Sequence, residues 1–214
     1  MTTRGKHIWI EGTDGTGKST QVKQLQARLL KEHGIKSIAF HEPGGVEIAT
    51  AIREVLLNGT LPRQPLTNVL LFSASRRENW FQQGKKALAE GTWVFNARSF
   101  WSTEAYQGSA EGVDIELIRQ ITLLSTDEEY MNPDHAVILD LADDKERIKR
   151  IGERGDLKHP DTFEAQGEAF QQRIVDGYRR IAAEYSVPVI DASRSPDEIT
   201  EDIWGIIKPD TTQN

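Results

Sequence analysis

A run of eight residues constrains this chain more than any other feature of its sequence. The run, Gly12-Thr13-Asp14-Gly15-Thr16-Gly17-Lys18-Ser19, has the spacing G-x-x-x-x-G-K-[ST], which is typical of a loop that binds nucleotide phosphates. The apolar run His7-Ile8-Trp9-Ile10 precedes it, and apolar residues recur at helical spacing from 22 to 30 behind it. A strand, a glycine-rich loop and a helix are the context that phosphate binding requires, whereas a simple connecting turn does not need this spacing.

The chemistry of such a loop follows from its glycines and its last two residues. Glycines allow successive backbone N–H groups to converge on an anion at a helix N-terminus, where the helix dipole favours negative charge. Lys18 is expected to reach the outer phosphates, and Ser19 to offer its hydroxyl oxygen to a Mg²⁺ ion that bridges phosphate oxygens. The residues predicted to contact the nucleotide phosphates are Gly12, Thr13, Asp14, Gly15, Thr16, Gly17, Lys18, Ser19 and Thr20.

Length, charge and composition exclude several classes of protein. A chain of 214 residues suffices for one domain with a proper core. The net charge of −7 argues against general binding to DNA or RNA, so arginines near the loop would indicate a small anionic substrate. The absence of cysteine excludes disulfides and thiolate metal sites. Because no apolar run is long enough for a signal peptide or a membrane span, we expect a cytoplasmic protein.

Short strand-like runs alternate with amphipathic helical stretches along the whole chain. The predicted strands are 7–11, 37–41, 92–96, 136–141 and 187–191, and the predicted helices include 47–57, 64–89, 115–130 and 163–185. The strands are nearly continuous apolar runs, as expected for a parallel sheet that helices cover on both faces. We therefore predict a single doubly wound α/β domain over 1–208, with the loop at the carboxyl edge of the sheet and a polar tail at 209–214.

One charged segment, about 151–162, interrupts this alternation because it contains two glycines and hardly any apolar anchor. A solvated loop between helices would have this composition. An enzyme that transfers a phosphoryl group, however, needs a mobile basic lid to exclude water and to neutralise the transferring phosphate. With a phosphate-binding loop in the same chain, we favour the lid.

Four motifs together resemble those of the thymidylate kinases, which phosphorylate dTMP to dTDP with ATP and Mg²⁺. They are the extended loop 10–20, Glu42-Pro43-Gly44-Gly45, Leu70-Leu71-Phe72-Ser73-Ala74-Ser75-Arg76 and Ser102-Thr103-Glu104-Ala105-Tyr106-Gln107-Gly108. They occur in the family's order and spacing, and the resemblance extends from about residue 7 to 208. It implies a P-loop NTPase-type fold with a parallel five-stranded sheet, flanking helices and a lid. It also implies small nucleotide substrates and a homodimer formed through packed helices.

The resemblance implies roles for the residues that would hold the acceptor nucleotide. Phe72 matches the residue whose ring stacks on the thymine, and stacking on an aromatic ring tolerates any base. Arg76 matches the residue that adds selectivity by hydrogen bonds to the pyrimidine edge. Arg53 and Arg98 match the arginines that face the acceptor phosphate, for which a bidentate guanidinium is suited. Tyr106 is similar to the tyrosine under the deoxyribose, which leaves no room for a 2′-hydroxyl.

Further residues are assigned by the same resemblance. Asp14 matches an acidic loop residue near the sugar 3′-hydroxyl, and Gln107 is implied to lie beside the sugar-facing tyrosine. The loop carries Gly15 where one subtype has an arginine, so the chain is similar to the bacterial type, which supplies arginines from the lid. Arg154 is the predicted contact to the transferring phosphate, and Arg150 is predicted to flank the adenine or the phosphates.

The chain departs from the family pattern at one strand end. The family motif D-R-[YH] is Ala97-Arg98-Ser99 here, and the arginine of R-E-P-G-G is replaced by His41. Asn96 is not expected to substitute for the missing aspartate, because neighbouring strand residues point to opposite faces. Phe100 and Trp101 stand where the bacterial pattern usually has a polar residue and a leucine.

Three explanations of these departures are open at the sequence level. In the first explanation, the enzyme tolerates the loss of the aspartate, since phosphoryl transfer depends on positioning and electrostatics that many groups share. Alternatively, the pocket admits a different or 5-modified pyrimidine deoxynucleotide, or the chain binds nucleotide without catalysis. The intact lysine and arginines favour an enzyme that transfers the γ-phosphoryl group directly, in line. No general base is expected, because a phosphate monoester is already an anionic nucleophile near neutral pH.

Overall fold

Five strands form one parallel sheet in the computed structural model of the protein, which describes residues 3–153, 163 and 166–209. The strands are β1 (His7–Gly12), β2 (Ser37–His41), β3 (Trp93–Ala97), β4 (His135–Asp140) and β5 (Val189–Asp191). Their order across the sheet is β2-β3-β1-β4-β5. The bounds predicted from apolar runs agree with these strands to within two residues.

Helices connect the strands and pack on both faces of the sheet. They are α1 (Lys18–His33), α2 (Glu47–Leu57), α3 (Pro65–Asn79), α4 (Lys85–Ala89), α5 (Phe100–Thr103), α6 (Ile115–Ser125), α7 (Glu128–Met131), α8 (Asp144–Gly152), α9 (Glu168–Tyr185) and α10 (Pro196–Ile207). Within the described ranges, no helix combines the length and apolar character that a membrane crossing needs.

Two predicted helices contain irregularities that periodicity did not reveal. The predicted helix 64–89 is continuous but includes a π-helical turn at Trp80–Gly84 between α3 and α4. The predicted helix 115–130 breaks after α6, because the Asp127 side chain accepts a hydrogen bond from the Tyr130 N–H and starts the separate helix α7. A second π-helical segment, Glu104–Ala110, follows α5 and carries predicted site residues, a location where π turns are frequent in proteins.

The alternation of side chains along β1 divides the core into two clusters. Ile8 and Ile10 point to one face, where they pack with apolar residues of α1 and α10. Trp9 points to the other face and packs with Phe100 and Trp101 in an aromatic cluster. All three strand residues are fully buried, as expected for a central strand covered on both sides.

The site is positioned by the shared carboxyl edge of the parallel strands. The loop 12–17 leaves the end of β1, and the ends of β2 and β3 lie beside it. His41 and Ala97 are direct partners across β2 and β3, and Ile10 pairs with Ala97 from the other side. The motifs at the ends of these strands therefore meet in one place, as ligand sites in open α/β sheets usually do.

Candidate active site

The loop after β1 has the backbone that a phosphate site requires. Gly12, Gly15 and Gly17 have φ values of 134, 85 and 88°, a region that favours glycine. A Cβ atom at Gly12 would lie 2.3 Å from the Leu139 carbonyl oxygen, so only glycine fits this close approach. Gly17 directly precedes α1, whose first backbone N–H groups are thereby turned toward the loop.

The lysine and serine of the loop are the first two residues of α1. The Lys18 ammonium donates hydrogen bonds to the carbonyl oxygens of Gly12, at 2.9 Å, and Thr13, at 2.6 Å. Ser19 is exposed, and its Oγ lies 3.4 Å from Nδ1 of His41. Desolvation, together with the positive charges of Arg53, Lys23 and Lys18, lowers the pKa of His41 below its usual value. The imidazole is therefore neutral near pH 7.

A cavity of about 370 Å³ lies in front of the loop. It is lined by Asp14, Gly15, Gly17, Lys18, Ser19, Thr20, His41, Glu42, Arg53, Ala97, Arg98 and Arg150. All but His41, Glu42 and Ala97 are residues that the sequence predicts to contact phosphates or substrate. The predicted donor side, from the loop, and the predicted acceptor side, from Arg53 and Arg98, thus share one cavity.

Arg98 reaches the cavity from an unusual backbone conformation. Its φ of 81° lies in the left-handed region, which is rare for a non-glycine residue and is concentrated at functional sites. Its Nη2 donates to Asp14 Oδ1 at 2.6 Å, and its Nη1 donates to the Gly12 carbonyl oxygen at 3.2 Å. Burial alone would lower the pKa of Arg98, but Asp14 and the nearby tyrosines outweigh burial and raise the pKa well above its ordinary value.

Glu11 is a buried carboxylate that the sequence analysis missed. Oε1 accepts hydrogen bonds from the Ser99 N–H, at 2.5 Å, and the Ser99 hydroxyl, at 2.8 Å. Oε2 accepts from Ser102 Oγ at 2.7 Å and from the Tyr178 hydroxyl at 3.0 Å. These bonds anchor the residue after Arg98 to the end of β1. The available signal was a carboxylate that ends an otherwise apolar strand.

The turn after β2 places Arg53 beside the cavity. Arg53 Nη1 donates to the Pro43 carbonyl oxygen at 2.7 Å. Asn79, which is buried and was also missed, fixes the same turn because its Nδ2 donates to the Gly44 carbonyl at 2.7 Å and its Oδ1 accepts from the Val46 N–H at 3.0 Å. A Cβ atom at Gly45 would lie 2.2 Å from Asn79 Oδ1, and one at Gly44 would lie 3.2 Å from Arg53 Cδ, so the two glycines allow the turn to approach α3 and α2 closely.

A third arginine, Arg76, is buried together with its counter-ion Glu42. Its Nε donates to Glu42 Oε2 at 2.9 Å, and its Nη2 donates to Thr103 Oγ1 at 3.0 Å. Its Nη1 has no hydrogen-bond partner among the described residues. Burial raises the pKa of Glu42, against the opposing effects of Arg76 and Tyr130. Burial would lower the pKa of Arg76, but Glu42 raises it above the usual value.

Aromatic side chains cluster at the predicted base and sugar sites. The Phe163 ring lies 6.1 Å from the Phe72 ring and 5.9 Å from the Tyr106 ring. The Tyr106 hydroxyl donates to Asp14 Oδ2 at 2.9 Å, which joins the predicted sugar site to the loop. The buried amide of Gln107 interacts with Glu111, and this hydrogen bond opposes the rise that burial causes in the pKa of that carboxyl.

The departures from the family motifs fall in two different places. His41 and Ala97 face the cavity together. Asn96 instead bonds to Glu42 through Nδ2 at 2.7 Å, so it does not take the place of an aspartate at Ala97. Phe100 and Trp101 pack on Trp9 with ring separations of 5.5 and 4.9 Å, and neither lines the cavity.

The predicted lid is only partly described. Arg150 on α8 lines the cavity and donates to Glu146 Oε1 at 2.9 Å and to the Ala192 carbonyl oxygen at 3.0 Å. The backbone oxygen of Arg147, on the same helix, lies 2.9 Å from the place of a Cβ atom at Gly15. Arg154 and the rest of the predicted lid, like the tail from residue 210, lie outside the described residues.

Comparison with known proteins gives consistent matches along most of the chain. A family model described as thymidylate kinase matches residues 10–203. The chain is 35% identical over 205 residues to the thymidylate kinase of Carboxydothermus hydrogenoformans, covering 96% of this chain and 98% of that protein. It is 37% identical over 199 residues to that of Prosthecochloris aestuarii, with 90% and 88% covered. A crystal structure of thymidylate kinase from Ehrlichia chaffeensis has a TM-score of 0.76 at 27% identity, covering 96% of this chain and 100% of that one.

Proposed function

Because the chain belongs to the thymidylate kinase family, we propose that it transfers the γ-phosphoryl group of ATP to dTMP, giving dTDP and ADP. The family and the fold class predicted from the sequence are both confirmed by these matches. The observation that carries the proposal is the single cavity shared by the phosphate-binding loop and by Arg53 and Arg98. A site that bound one nucleotide only would have no need of a second set of phosphate-binding groups facing the first.

The transfer is proposed to be direct, with each residue holding one part of the reacting group. The backbone N–H groups of the loop and Lys18 hold the outer phosphates of ATP. Arg53 and Arg98 hold the phosphate of dTMP, whose oxygen attacks the γ-phosphorus in line. The acceptor needs no general base because its phosphate loses its second proton near pH 6. Arg154 is proposed to contact the transferring phosphate from the lid.

The base and the sugar are proposed to bind between the aromatic side chains and Arg76. Phe72 stacks on the thymine, and Tyr106 lies under the deoxyribose, where its bond to Asp14 fixes the ring. The Nη1 group of Arg76 is a buried donor without a hydrogen-bond partner among the described residues. Such a group costs about 1–3 kcal/mol when unsatisfied, so a hydrogen bond to a pyrimidine edge fits it well.

The residues at the loop fit a magnesium ion held mainly by phosphate and water. Ser19 offers one exposed hydroxyl oxygen, and no group of three or more His, Asp or Glu side chains capable of holding a metal occurs in the described ranges. Mg²⁺ commonly keeps several waters and takes few protein ligands beside substrate phosphates. When bound there, it would neutralise charge on the phosphates of ATP. Binding of Mg²⁺–ADP, measured by calorimetry, should weaken in Ser19→Ala while metal-free ADP binds equally well.

The departures at the cavity are proposed to be tolerated rather than to redirect the enzyme. His41 and Ala97 are neighbours, so one cationic and one anionic residue of the family pattern are missing from the same place. The aromatic residues that could have rebuilt a pocket are in the core instead. Nothing in the comparisons favours a modified nucleotide or a non-catalytic protein, and both remain without support.

A homodimer is proposed on the outer face of three adjacent helices. The exposed apolar residues include Ile48 on α2, Leu66 and Leu70 on α3, and Leu117 and Leu124 on α6. Those on one helix are spaced four or seven residues apart and therefore share a face. We propose a second copy of the chain as the partner and the cytoplasm as the compartment. Light scattering should give a mass twice that of one chain, and Leu70→Glu should lower the measured mass toward that of a single chain.

A coupled assay of ADP release tests the proposed reaction. ATP and Mg²⁺ are supplied with dTMP, dUMP, 5-hydroxymethyl-dUMP, dCMP, dGMP and dAMP in turn. The proposal predicts the highest kcat/KM with dTMP. A clear preference for another nucleotide would show that the acceptor site is altered, and absence of ADP release with all six would contradict the kinase assignment.

A further inference from the structure

A line of buried polar groups runs along one face of the sheet to Arg76. His7 on β1, Asn96 on β3, Glu42 after β2 and Arg76 on α3 are each at most 4% exposed. His7 Nε2 lies 3.0 Å from Asn96 Oδ1, Asn96 Nδ2 donates to Glu42 Oε1 at 2.7 Å, and Arg76 Nε donates to Glu42 Oε2 at 2.9 Å. Four elements that are distant in sequence are thus joined by three short contacts.

The amide of Asn96 suits its place in this line. An ionised Glu42 accepts only, so the Nδ2 group of Asn96 must face Glu42. The Oδ1 atom of Asn96 then lies beside His7 Nε2, which is also in contact with the Trp9 Nε1–H group. An aspartate at 96 would set a second carboxylate against Glu42, and an apolar side chain would remove the donor. The neighbouring residue, Ala97, faces the phosphate cavity, so Asn96 acts on Glu42 from the other face of the strand.

Glu42 needs its donors to stay in one orientation. Its Oε1 accepts from Asn96 and from the Tyr130 hydroxyl at 2.9 Å, while Oε2 accepts from Arg76. A buried carboxylate without sufficient donors rotates or takes up a proton, because burial disfavours its charged form. Rotation would move Oε2 away from the Nε group of Arg76, and protonation would remove the charge that attracts this group.

Glu42 and Thr103 together determine where the remaining N–H groups of Arg76 point. The guanidinium is planar, so fixing Nε and Nη2 also fixes Nη1, which has no partner among the described residues. Phe72 lies one helical turn before Arg76 on the same side of α3. A base stacked on Phe72 would therefore present its edge to Arg76, whose orientation is fixed by its hydrogen bonds to Glu42 and Thr103.

We propose that Asn96 is a positioning residue for nucleotide selection, which holds Glu42 so that Arg76 meets a pyrimidine carbonyl and disfavours a pyrimidine amino group. The inference rests on the proposed function, because it presumes a pyrimidine nucleotide at this end of the site. Thymine carries an acceptor, O4, where cytosine carries the N4 donor, so a fixed N–H donor separates the two. An arginine that is free to move would discriminate less well between thymine and cytosine.

Equilibrium binding of dTMP and of dCMP to the Asn96→Leu variant tests this inference. Leucine is close to asparagine in size but removes the amide. We expect dTMP affinity to fall about tenfold with little change for dCMP, so that the ratio of the two affinities falls about tenfold, while ADP binds as in the wild type. Val94→Ala is the matched control, because Val94 is buried in the same cluster on the same strand face but makes no side-chain hydrogen bond.

The outcomes separate this inference from the proposed reaction. An unchanged dTMP to dCMP ratio in Asn96→Leu, or a fall matched by Val94→Ala at a similar loss of Tm, overturns the role of Asn96. If Asn96→Leu does not fold, Asn96→Ser keeps a donor at lower volume and should show a smaller fall in the ratio. A wild-type protein that binds dTMP selectively but releases no ADP contradicts the kinase reaction alone. A wild type that binds neither pyrimidine overturns both.

Discussion

Two buried glutamates lie at the two ends of the site and make different kinds of hydrogen bond. The phosphate end is the region of the loop 12–19 and Arg98, and the base end is the region of Phe72 and Arg76, where the base is proposed to bind. At the phosphate end, Glu11 accepts only from uncharged donors, two from Ser99 and one each from Ser102 and Tyr178. It holds the backbone next to Arg98 but does not form an ion pair with it; Asp14 does that. At the base end, Glu42 pairs directly with an arginine, and both partners are buried.

The difference matches the role proposed for each arginine. In the proposed reaction Arg98 meets phosphates whose charge changes, and its side chain is 15% exposed. In the proposed base site Arg76 presents one N–H group in a constant direction, and its buried hydrogen bonds to Glu42 and Thr103 hold it there. We infer that the phosphate end is built for charge stabilisation and the base end for fixed geometry. Four predictions test that division.

Replacement of Arg98 by alanine should have the largest effect on turnover. Loss of one charge-stabilising group at a transition state typically lowers kcat by about 10²–10³-fold, and we expect the upper part of that range. The fold should survive, because Glu11 anchors Ser99 independently of Arg98. Kinetics with saturating ATP and dTMP measure the loss. Arg194→Ala, at an exposed surface ion pair with Asp202, is the control, and a kcat near wild type in Arg98→Ala contradicts the assignment.

The two glutamates should differ in stability when each is changed to glutamine. Glu42→Gln leaves Arg76 buried without a counter-charge and should cost about 3 kcal/mol in the free energy of unfolding. Glu11→Gln should cost about 1 kcal/mol, because the hydroxyls of Ser102 and Tyr178 can turn to accept from the new amide. Urea unfolding measures both, and equal costs would remove the distinction between the two ends.

Acid should destabilise the protein through His7 at the base end. Burial lowers the pKa of His7 from 6.5 to about 4, despite its contact with Asn96. Between these values only the unfolded chain takes up the proton, so stability falls as the pH falls from 6.5 toward 4. From pH 7 to 5 the loss from this group is about 2 kcal/mol. His7→Phe should remove this loss, leaving the contribution of His41, whose pKa is also lowered, and those of Asp127 and Asp134, whose pKa values are lowered in the fold.

The urea unfolding free energy at pH 7 and at pH 5, for both proteins, checks the acid effect. The wild type should lose more on acidification than His7→Phe by about the amount stated. The same pH dependence in the two proteins would mean that His7 is not held neutral by burial.

The smallest effect is expected at the cavity departures. Because His41 and Ala97 are direct partners across β2 and β3, His41→Arg and Ala97→Asp place opposite charges side by side. We expect the double variant to raise kcat with dTMP a few-fold and each single variant to give less, a coupling of about 1 kcal/mol or below. Strictly additive effects would mean that the two departures are independent.

The fold and the glycine-rich loop could be predicted from the sequence because their signals are local. The loop 12–19 is contiguous, and apolar runs locate all five strands to within two residues. The base end could not be derived in that way. The line from His7 to Arg76 joins residues up to 89 positions apart, and nothing in the sequence around Asn96 indicates that its amide meets Glu42.

Geometry also explains why some individual residues were missed. The π-helical segment 104–110 has no periodic signature in a short stretch, and Asn79 functions only because the turn after β2 passes beside α3. The predicted roles of Phe72, Arg76 and Tyr106 come from family resemblance and remain predictions. The partners of these side chains, such as Glu42 for Arg76 and Asp14 for Tyr106, give each role a contact that a variant can test.

The most direct test of the division between the two ends is a pair of conservative variants assayed with two nucleotides. The kcat/KM values for dTMP and dCMP are measured in the wild type, in Arg98→Lys and in Arg76→Lys, with ATP and Mg²⁺ in excess. We predict that Arg98→Lys lowers both values by the same large factor, so that their ratio is unchanged. Arg76→Lys should lower the value for dTMP far more than that for dCMP, so that selectivity is lost. A loss of selectivity in Arg98→Lys, or an equal loss for both nucleotides in Arg76→Lys, would contradict the account.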